Sequence, residues 1–307
     1  MNQGDPTEGR VYFLTHFVAK RLGYFDAEGV DVQFVWADPG NYLAKSGQIP
    51  AVLKGEADFT IGGPMVTMKM QAEGTANLVN FCAVVQKNPW FLVAREPVDA
   101  FEWSMLEGKT ILDIGAITTA TFSLRWILKQ EGVTANIIET GEGEATAMDA
   151  FIAGKGDYAF HSLHAFGPYI ADGEVFVAKD LASRNGDVPW SAYIALPKTL
   201  EERKADIEAF MLAITRAQQW LASASVAEIA ALVAPDYPDY PGAGLIEAID
   251  RYKAMGLWPT DPLISRADFE RFRGMLIDVG WFSTAVPYED QVPASLARDA
   301  IATLAGR

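Results

Sequence analysis

The side chains with the widest chemical reach in this chain are three histidines, His16, His161 and His164. Two of them share one stretch, "FHSLHAFGP" (160–168), at the end of a short apolar run. An imidazole in that place has three uses. It caps a helix or faces solvent; it hydrogen-bonds a ligand through one ring nitrogen; or it ligates a metal or moves a proton as acid or base. No third His or Cys stands beside the pair at a fixed spacing, so no metal site is read. His16 lies inside an amino-terminal helical pattern and is expected behind the site. The single cysteine, Cys82, falls in "NFCAVV" and reads as a buried, inert thiol. One cysteine excludes an intrachain disulfide, a Cys-based zinc site and an iron–sulfur cluster. No cofactor is called for.

Other stretches offer recognition rather than reaction. "GAITTATF" (115–122) opens a helix with Thr118 and Thr119. Free backbone N–H groups and hydroxyls there suit an anion or a carbonyl, and they equally suit simple capping. "GGPM" (62–65) joins flexible glycines to Pro64, which is pre-set for a first helical turn, and then to Met65. Cations are scarce nearby. Arg10 and Arg95 are the nearest in sequence, and Arg95 is expected to end a strand in a salt bridge. Tyr12, Phe13, Trp36 and Trp90 offer flat apolar faces, as core residues also do.

The elements that must position these residues come from a repeat. "AVLKGEADFTIGGP" (51–64) and "AFIAGKGDYAFHSL" (150–163) share one order: helix end, Gly, two residues, Asp, aromatic, apolar strand. Upstream, "HFVAKRLGYFDAEGVDVQFV" (16–35) and "TATFSLRWILKQEGVTANIIET" (119–140) each give a helix, a Gly-Val exit and a strand. Each half is therefore a run of βαβ units, which build parallel sheets with right-handed crossovers. "KTILDIG" (109–115) supplies a strand before the second helix, whereas "MNQGDPTEGR" reads as loop, so the first strand is expected to be truncated or absent. "FCAVVQ" and "WFLVARE" read as strands between the halves, and "PWSAYIALP" as a strand returning to the first. From Leu200 the chain reads as helices with Pro-rich joints.

The expected fold is thus α/β: two similar lobes with mainly parallel sheets, joined by a two-crossing hinge, and a helical carboxyl-terminal part. Residues 1–95 plus 190–307 form the first lobe and 96–189 the second. The length of 307 residues and mean hydropathy of +0.07 suffice for two cores. A net charge of −15 with no Lys/Arg cluster excludes a nucleic-acid face. No apolar run approaches the roughly 18 residues of a membrane span.

With "VAKRLGYFDAEGVDVQFV", "LKGEADFTIGGP", "LEGKTILDIG" and the tail "YKAMGLWPTDPLISRADFERF…VPYED" in view, the chain resembles the type II periplasmic solute-binding proteins of ABC transporters. Within them it is similar to the NMT1/THI5-like (SsuA/TauA-like) group. The resemblance implies a receptor that captures a small molecule between lobes and delivers it to an ABC permease, as a monomer in the periplasm. A signal segment is expected to be missing from this chain. Members bind sulfonates, nitrate, pyrimidine precursors, riboflavin or aromatic acids, and a few relatives are enzymes. Relatives often carry an aromatic residue followed by "EP" where this chain has "HSLHAFGP". The pyrimidine synthases' Cys-rich motif is absent.

In parallel sheets ligands bind at the carboxyl ends of strands. That rule selects Asn2, Asp38, Gly63, Pro64, Met65, Gln86, Trp90, Thr118, Thr119, His161, Ser162 and His164 as ligand-binding candidates. The expected ligand is a small aromatic or heterocyclic molecule, pyrimidine-like or an aromatic acid, with a sulfonate as alternative. The competing reading is a cytoplasmic decarboxylase- or hydrolase-like enzyme using His161 or His164.

Overall fold

The computed structural model describes residues 1–3, 10–35, 48–115, 118–140, 143–238, 240 and 242–306. Its strands are β1 (Phe59–Gly62), β2 (Val79–Val85), β3 (Trp90–Ala94), β4 (Thr110–Asp113), β5 (Asn136–Glu139), β6 (Tyr158–Ser162), β7 (Phe176–Asp180) and β8 (Ser191–Ala195). They form two sheets, one of three strands in the order β1-β8-β2 and one of five in the order β5-β4-β6-β3-β7. Asn2 adds parallel bridges to Val35 and Thr60 at the edge of the first. Residues 1–3 thus take the place of the short first strand. Of the expected 30–35 strand, only Val35 makes a bridge to a described residue.

The repeat maps onto the two sheets. The helices Ile49–Leu53 and Glu144–Ile152 run out toward Gly55 and Gly154, both at positive φ (74° and 104°), where a side chain would be strained. β1 and β6 follow, then the helices Pro64–Ala72 and Leu163–Ala171. The parallel arrangement read from the repeat holds for β4 with β5 and for β4 with β6. β3 and β8 depart from it. β8 is antiparallel to β1 and β2, and β3 to β6 and β7. Each follows a crossing from the other half and enters its new sheet from the opposite end. β3, counted by sequence with the first lobe, therefore pairs inside the second sheet, and the chain crosses between Val85 and Trp90.

The two crossings lie side by side. Val188 N–H donates to Gln86 O (2.9 Å) and Leu181 N–H to Trp90 O (3.0 Å). Between them the buried Asn88 amide donates to Asn185 Oδ1 (2.8 Å) and its own carbonyl oxygen accepts Trp90 N–H (3.0 Å). Buried side-chain amides of this kind hold a joint in one register, because an unpaired partner would cost the desolvation of a polar group.

One core cluster runs through the first sheet and the carboxyl-terminal helices, including Phe59, Phe81, Tyr193 and Phe210; a second lies within the other sheet around Leu112, Met148, Phe151 and Phe166. The Gly242–Ala254 helix spans the two halves. Its Tyr252 hydroxyl accepts Leu163 N–H (3.1 Å) and donates to Pro89 O (3.3 Å). Cys82 is buried, and burial pushes its thiol well above the ordinary range. No helix among the described residues is long and apolar enough to cross a membrane.

His16 is core rather than site. Its ring sits among Phe17, Phe34 and Tyr193 and is 1% exposed. Burial, aided by the Lys20 charge, lowers its pKa to about 3. The unfolded chain therefore binds this proton first as pH falls. The contribution is complete above the ordinary histidine value near 6.5 and is lost as pH drops toward about 3. The loss amounts to about 2 kcal/mol between pH 6.5 and 5. His16→Gln should flatten the fall of Tm over that window relative to the parent, measured by calorimetry at matched ionic strength; parallel pH profiles would contradict this burial account.

Candidate ligand cleft and the histidine corner

The carboxyl ends of β1 and the amino end of β3 meet β8 and the Thr118–Glu131 helix at one cleft. Its walls are Arg10, Tyr12, Phe13, Gln48, Ile49, Gly62, Gly63, Val66, Trp90, Thr119, Trp190 and Ser191. Gly62 and Gly63 come from the first half, Trp90 and Thr119 from the second, and Trp190 and Ser191 from the return crossing. The walls stand close: a β-carbon at Gly63 would lie 3.6 Å from Trp190 O and 3.9 Å from Thr119 Oγ1. Among the described residues they enclose about 90 Å³. Sites for drug-sized ligands hold several hundred Å³, so a molecule of that size enters only if the walls part.

The sequence candidates divide. Gly63, Trp90 and Thr119 line the cleft. Asn2 is fully buried beneath it, its amide reaching Gln48 O at 3.4 Å. Pro64 opens its helix and accepts the Thr67 hydroxyl (2.9 Å), and Met65 is buried in the core. Gln86 is committed to the crossing, its amide donating to Gly256 O (3.0 Å). Thr118 begins its helix without lining the cleft. Asp38 and Trp36 lie outside the described residues. Among the described residues Arg95 does not make the expected ion pair: it donates to the backbone oxygens of Phe151 (2.9 Å) and Gly156 (2.7 Å) and lies over the Phe151 ring. Trp190 and Ser191 were not selected from sequence, because a strand entering antiparallel presents its first residues where a parallel strand presents its last.

His161, Ser162 and His164 form a corner behind the cleft wall. The His161 ring packs 4.3 Å from Trp90 and the His164 ring 6.3 Å from Tyr12, centroid to centroid. Ser162, at the end of β6, joins the two imidazoles. Its N–H donates to His161 Nδ1 (2.8 Å), and its Oγ lies 2.7 Å from His164 Nδ1 and 3.3 Å from His161 Nδ1. On the far side both rings face one carboxylate that sequence reading missed. His161 Nε2 is 3.2 Å from Glu144 Oε1, and His164 Nε2 is 3.5 Å from Glu144 Oε2. Glu144 is the first residue of its helix, 17 positions before His161; no spacing rule links them, and the parallel pairing of β5 with β4 and of β4 with β6 sets the helix start that follows β5 at the same end of the sheet as His161.

Burial presses His161 down to about 4, against the raising effect of Glu144. Burial raises the Glu144 carboxyl, but contact with the two imidazoles outweighs it and holds the acid well below the usual range. At neutral pH the corner holds the Glu144 carboxylate against an uncharged His161 ring, with His164 beside them. Gly115, at the end of β4, leaves the room: a β-carbon there would lie 2.2 Å from His161 Nε2.

The wider kinship agrees with this two-sheet frame. A model of the family described as NMT1/THI5 like matches residues 10–225. The chain belongs to the NMT1/THI5-like family. YtlA of Bacillus subtilis (strain 168), whose description gives it a provisional role as a binding protein, is 24% identical over 296 residues, covering 94% of this chain and 86% of YtlA. A solved protein of Bordetella bronchiseptica RB50 superposes with a TM-score of 0.74 at 20% identity, over 99% of this chain and 97% of that one. The periplasmic aliphatic sulphonate binding protein SsuA of Escherichia coli gives 0.69 at 18% identity, over 94% and 90%. These likenesses establish the periplasmic-binding-protein fold.

Gly115→Ala should force His161 off its position against Trp90. Overpacking of this kind costs about 1–3 kcal/mol, with a changed His161 imidazole signal in NMR spectra. An unchanged signal and unchanged Tm would refute the close approach.

Proposed function

We propose that this family member is the substrate-binding receptor of an ABC-type importer, working outside the cytoplasmic membrane as a monomer that hands its ligand to a permease. The observation that carries the reading is the composition of the cleft. Its walls come from both sheets and from a crossing, so a ligand in it is held by both halves at once. Capture then couples to closure, since a molecule that touches both walls stabilises the closed arrangement by its differential affinity.

The proposed ligand is a small, flat aromatic or heterocyclic molecule. Tyr12, Phe13, Trp90 and Trp190 supply apolar faces, and Gln48, Thr119 and Ser191 supply directed polar groups. That mixture is the usual make-up of a small-molecule site. A carboxylate or sulfonate on the ring would meet Thr119 in the first turn of a 14-residue helix and Arg10 at the cleft wall. The Gln48 amide favours a ring that also offers a hydrogen-bond acceptor or donor.

A thermal-shift panel of pyrimidines, flavins, aromatic acids and alkanesulfonates tests the reading, with each compound recovered for mass analysis. A ligand at about 100 times its Kd adds roughly 2.7 kcal/mol to stability. The expected result is a clear shift with one aromatic class, the compound recovered unchanged, and about tenfold weaker binding by Thr119→Val, the loss of one hydrogen bond. Conversion of the compound, or no shift across the panel, would overturn the receptor assignment.

A further inference from the structure

We propose that Glu144, His161 and His164 form a binding site for a divalent transition-metal ion of the zinc type, set at the carboxyl end of β6, the middle strand of the second sheet, beside the ligand cleft. Three donors converge there: the Nε2 atoms of both histidines and the carboxylate of Glu144, all within 4.8 Å of one another. The two contacts between them, 3.2 and 3.5 Å, suit ligands that share an ion. Metal–ligand bonds of about 2.0–2.1 Å in a tetrahedron place neighbouring ligand atoms about 3.3 Å apart. Two imidazoles and one carboxylate select zinc and its first-row neighbours over magnesium or calcium, which prefer oxygen alone.

Three observations separate this corner from a plain hydrogen-bonded cluster. First, His161 Nε2 is buried without an aligned hydrogen-bond partner, although it stands beside Glu144 Oε1. The Glu144 carboxylate offers it only a poorly aligned contact, and a metal ion ligated by both would satisfy the nitrogen and the carboxylate together. Secondly, position 115 is a glycine whose missing side chain would collide with that same nitrogen. Thirdly, Ser162 is placed to serve both rings. Metal-bound imidazoles carry their proton on the other nitrogen and donate it to a nearby acceptor. Ser162 Oγ lies 2.7 and 3.3 Å from the two Nδ1 atoms and has a lone pair for each.

The metal-free and loaded states differ in where the His161 proton sits. Without metal, the Ser162 N–H donates to His161 Nδ1, so that ring carries its proton on Nε2, toward Glu144. On loading, the proton of each ring resides on Nδ1, Ser162 Oγ accepts both, and the ion occupies the Nε2 side. The Ser162 N–H contact at 2.8 Å opposes this, and a small rotation of the His161 ring relieves it. The ion has a route in, since the Glu144 side chain is 45% exposed. The site adjoins the cleft through Trp90 and Tyr12, so a bound ion would stiffen that wall. The inference stands without the receptor reading, because it requires no organic ligand.

The test is equilibrium dialysis of the whole chelator-treated protein against Zn²⁺, with Co²⁺ absorption as the spectroscopic signature of coordination. The expected result is one ion per chain, with the visible bands of low-coordinate Co²⁺. His164→Ala and Glu144→Gln should each weaken binding by more than the roughly 10–100-fold typical of lost outer-shell partners, and Ser162→Ala by an amount within that range. Tm measured without metal shows that each variant folds, and His16→Gln serves as a remote histidine control that should keep full affinity. Substoichiometric uptake by the parent would overturn the proposal. So would full affinity in folded His164→Ala and Glu144→Gln, or an equal loss in His16→Gln.

Discussion

β3 and β8 each enter a sheet antiparallel to their neighbours, because each carries the chain over from the other half. Almost every functional feature depends on that exchange. It sets the two crossings side by side, where Asn88 and Asn185 pair in the dry interior. It brings Trp90, the first residue of β3, and Trp190 and Ser191, around the start of β8, to the same cleft. A sheet built only of βαβ units would present loops at its carboxyl edge; here the crossings themselves become wall. Any motion that parts the walls bends at those crossings and also loads the Tyr240 and Tyr252 hydroxyl bonds to Leu163.

Much of this was legible in the residues. The repeated Gly-x-x-Asp stretches located β1 and β6, the positive-φ glycines that end the preceding helices, and the helices that follow. The two-sheet frame followed from them. The direction of β3 and β8 was not legible, because apolar runs such as "WFLVARE" carry no sign of parallel or antiparallel pairing. For the same reason residues 90–94 were counted with the wrong sheet, and Trp190 and Ser191 went unselected.

The site shows a similar division. Gly63, Trp90 and Thr119 follow from the rule that strand ends and helix starts meet at a cleft. Met65 and Gln86 obey the same rule yet point into the core and the crossing, since the rule selects positions and not side-chain directions. Glu144 was invisible because its partners are distant in sequence, and a lone Glu at a helix start reads as favourable helix-dipole placement. Its importance emerges only when β5, β4 and β6 pair in parallel and bring the helix start that follows β5 to the His161 end of the sheet. The corner and the cleft then share one wall: Glu144 and Ser162 fix the imidazole that packs on Trp90.

The central claim is that a ligand draws the two halves together about the paired crossings. Spin labels at Lys54→Cys and Thr146→Cys, exposed positions on the first and second halves, measure it directly. Cys82 is buried with a raised thiol pKa and stays unlabelled. Pulsed dipolar spectroscopy should find a broad interspin distribution without ligand that collapses to one shorter distance when a compound selected by thermal shift is added. A distribution that is unchanged by a saturating ligand would contradict closure and leave the cleft a rigid pocket.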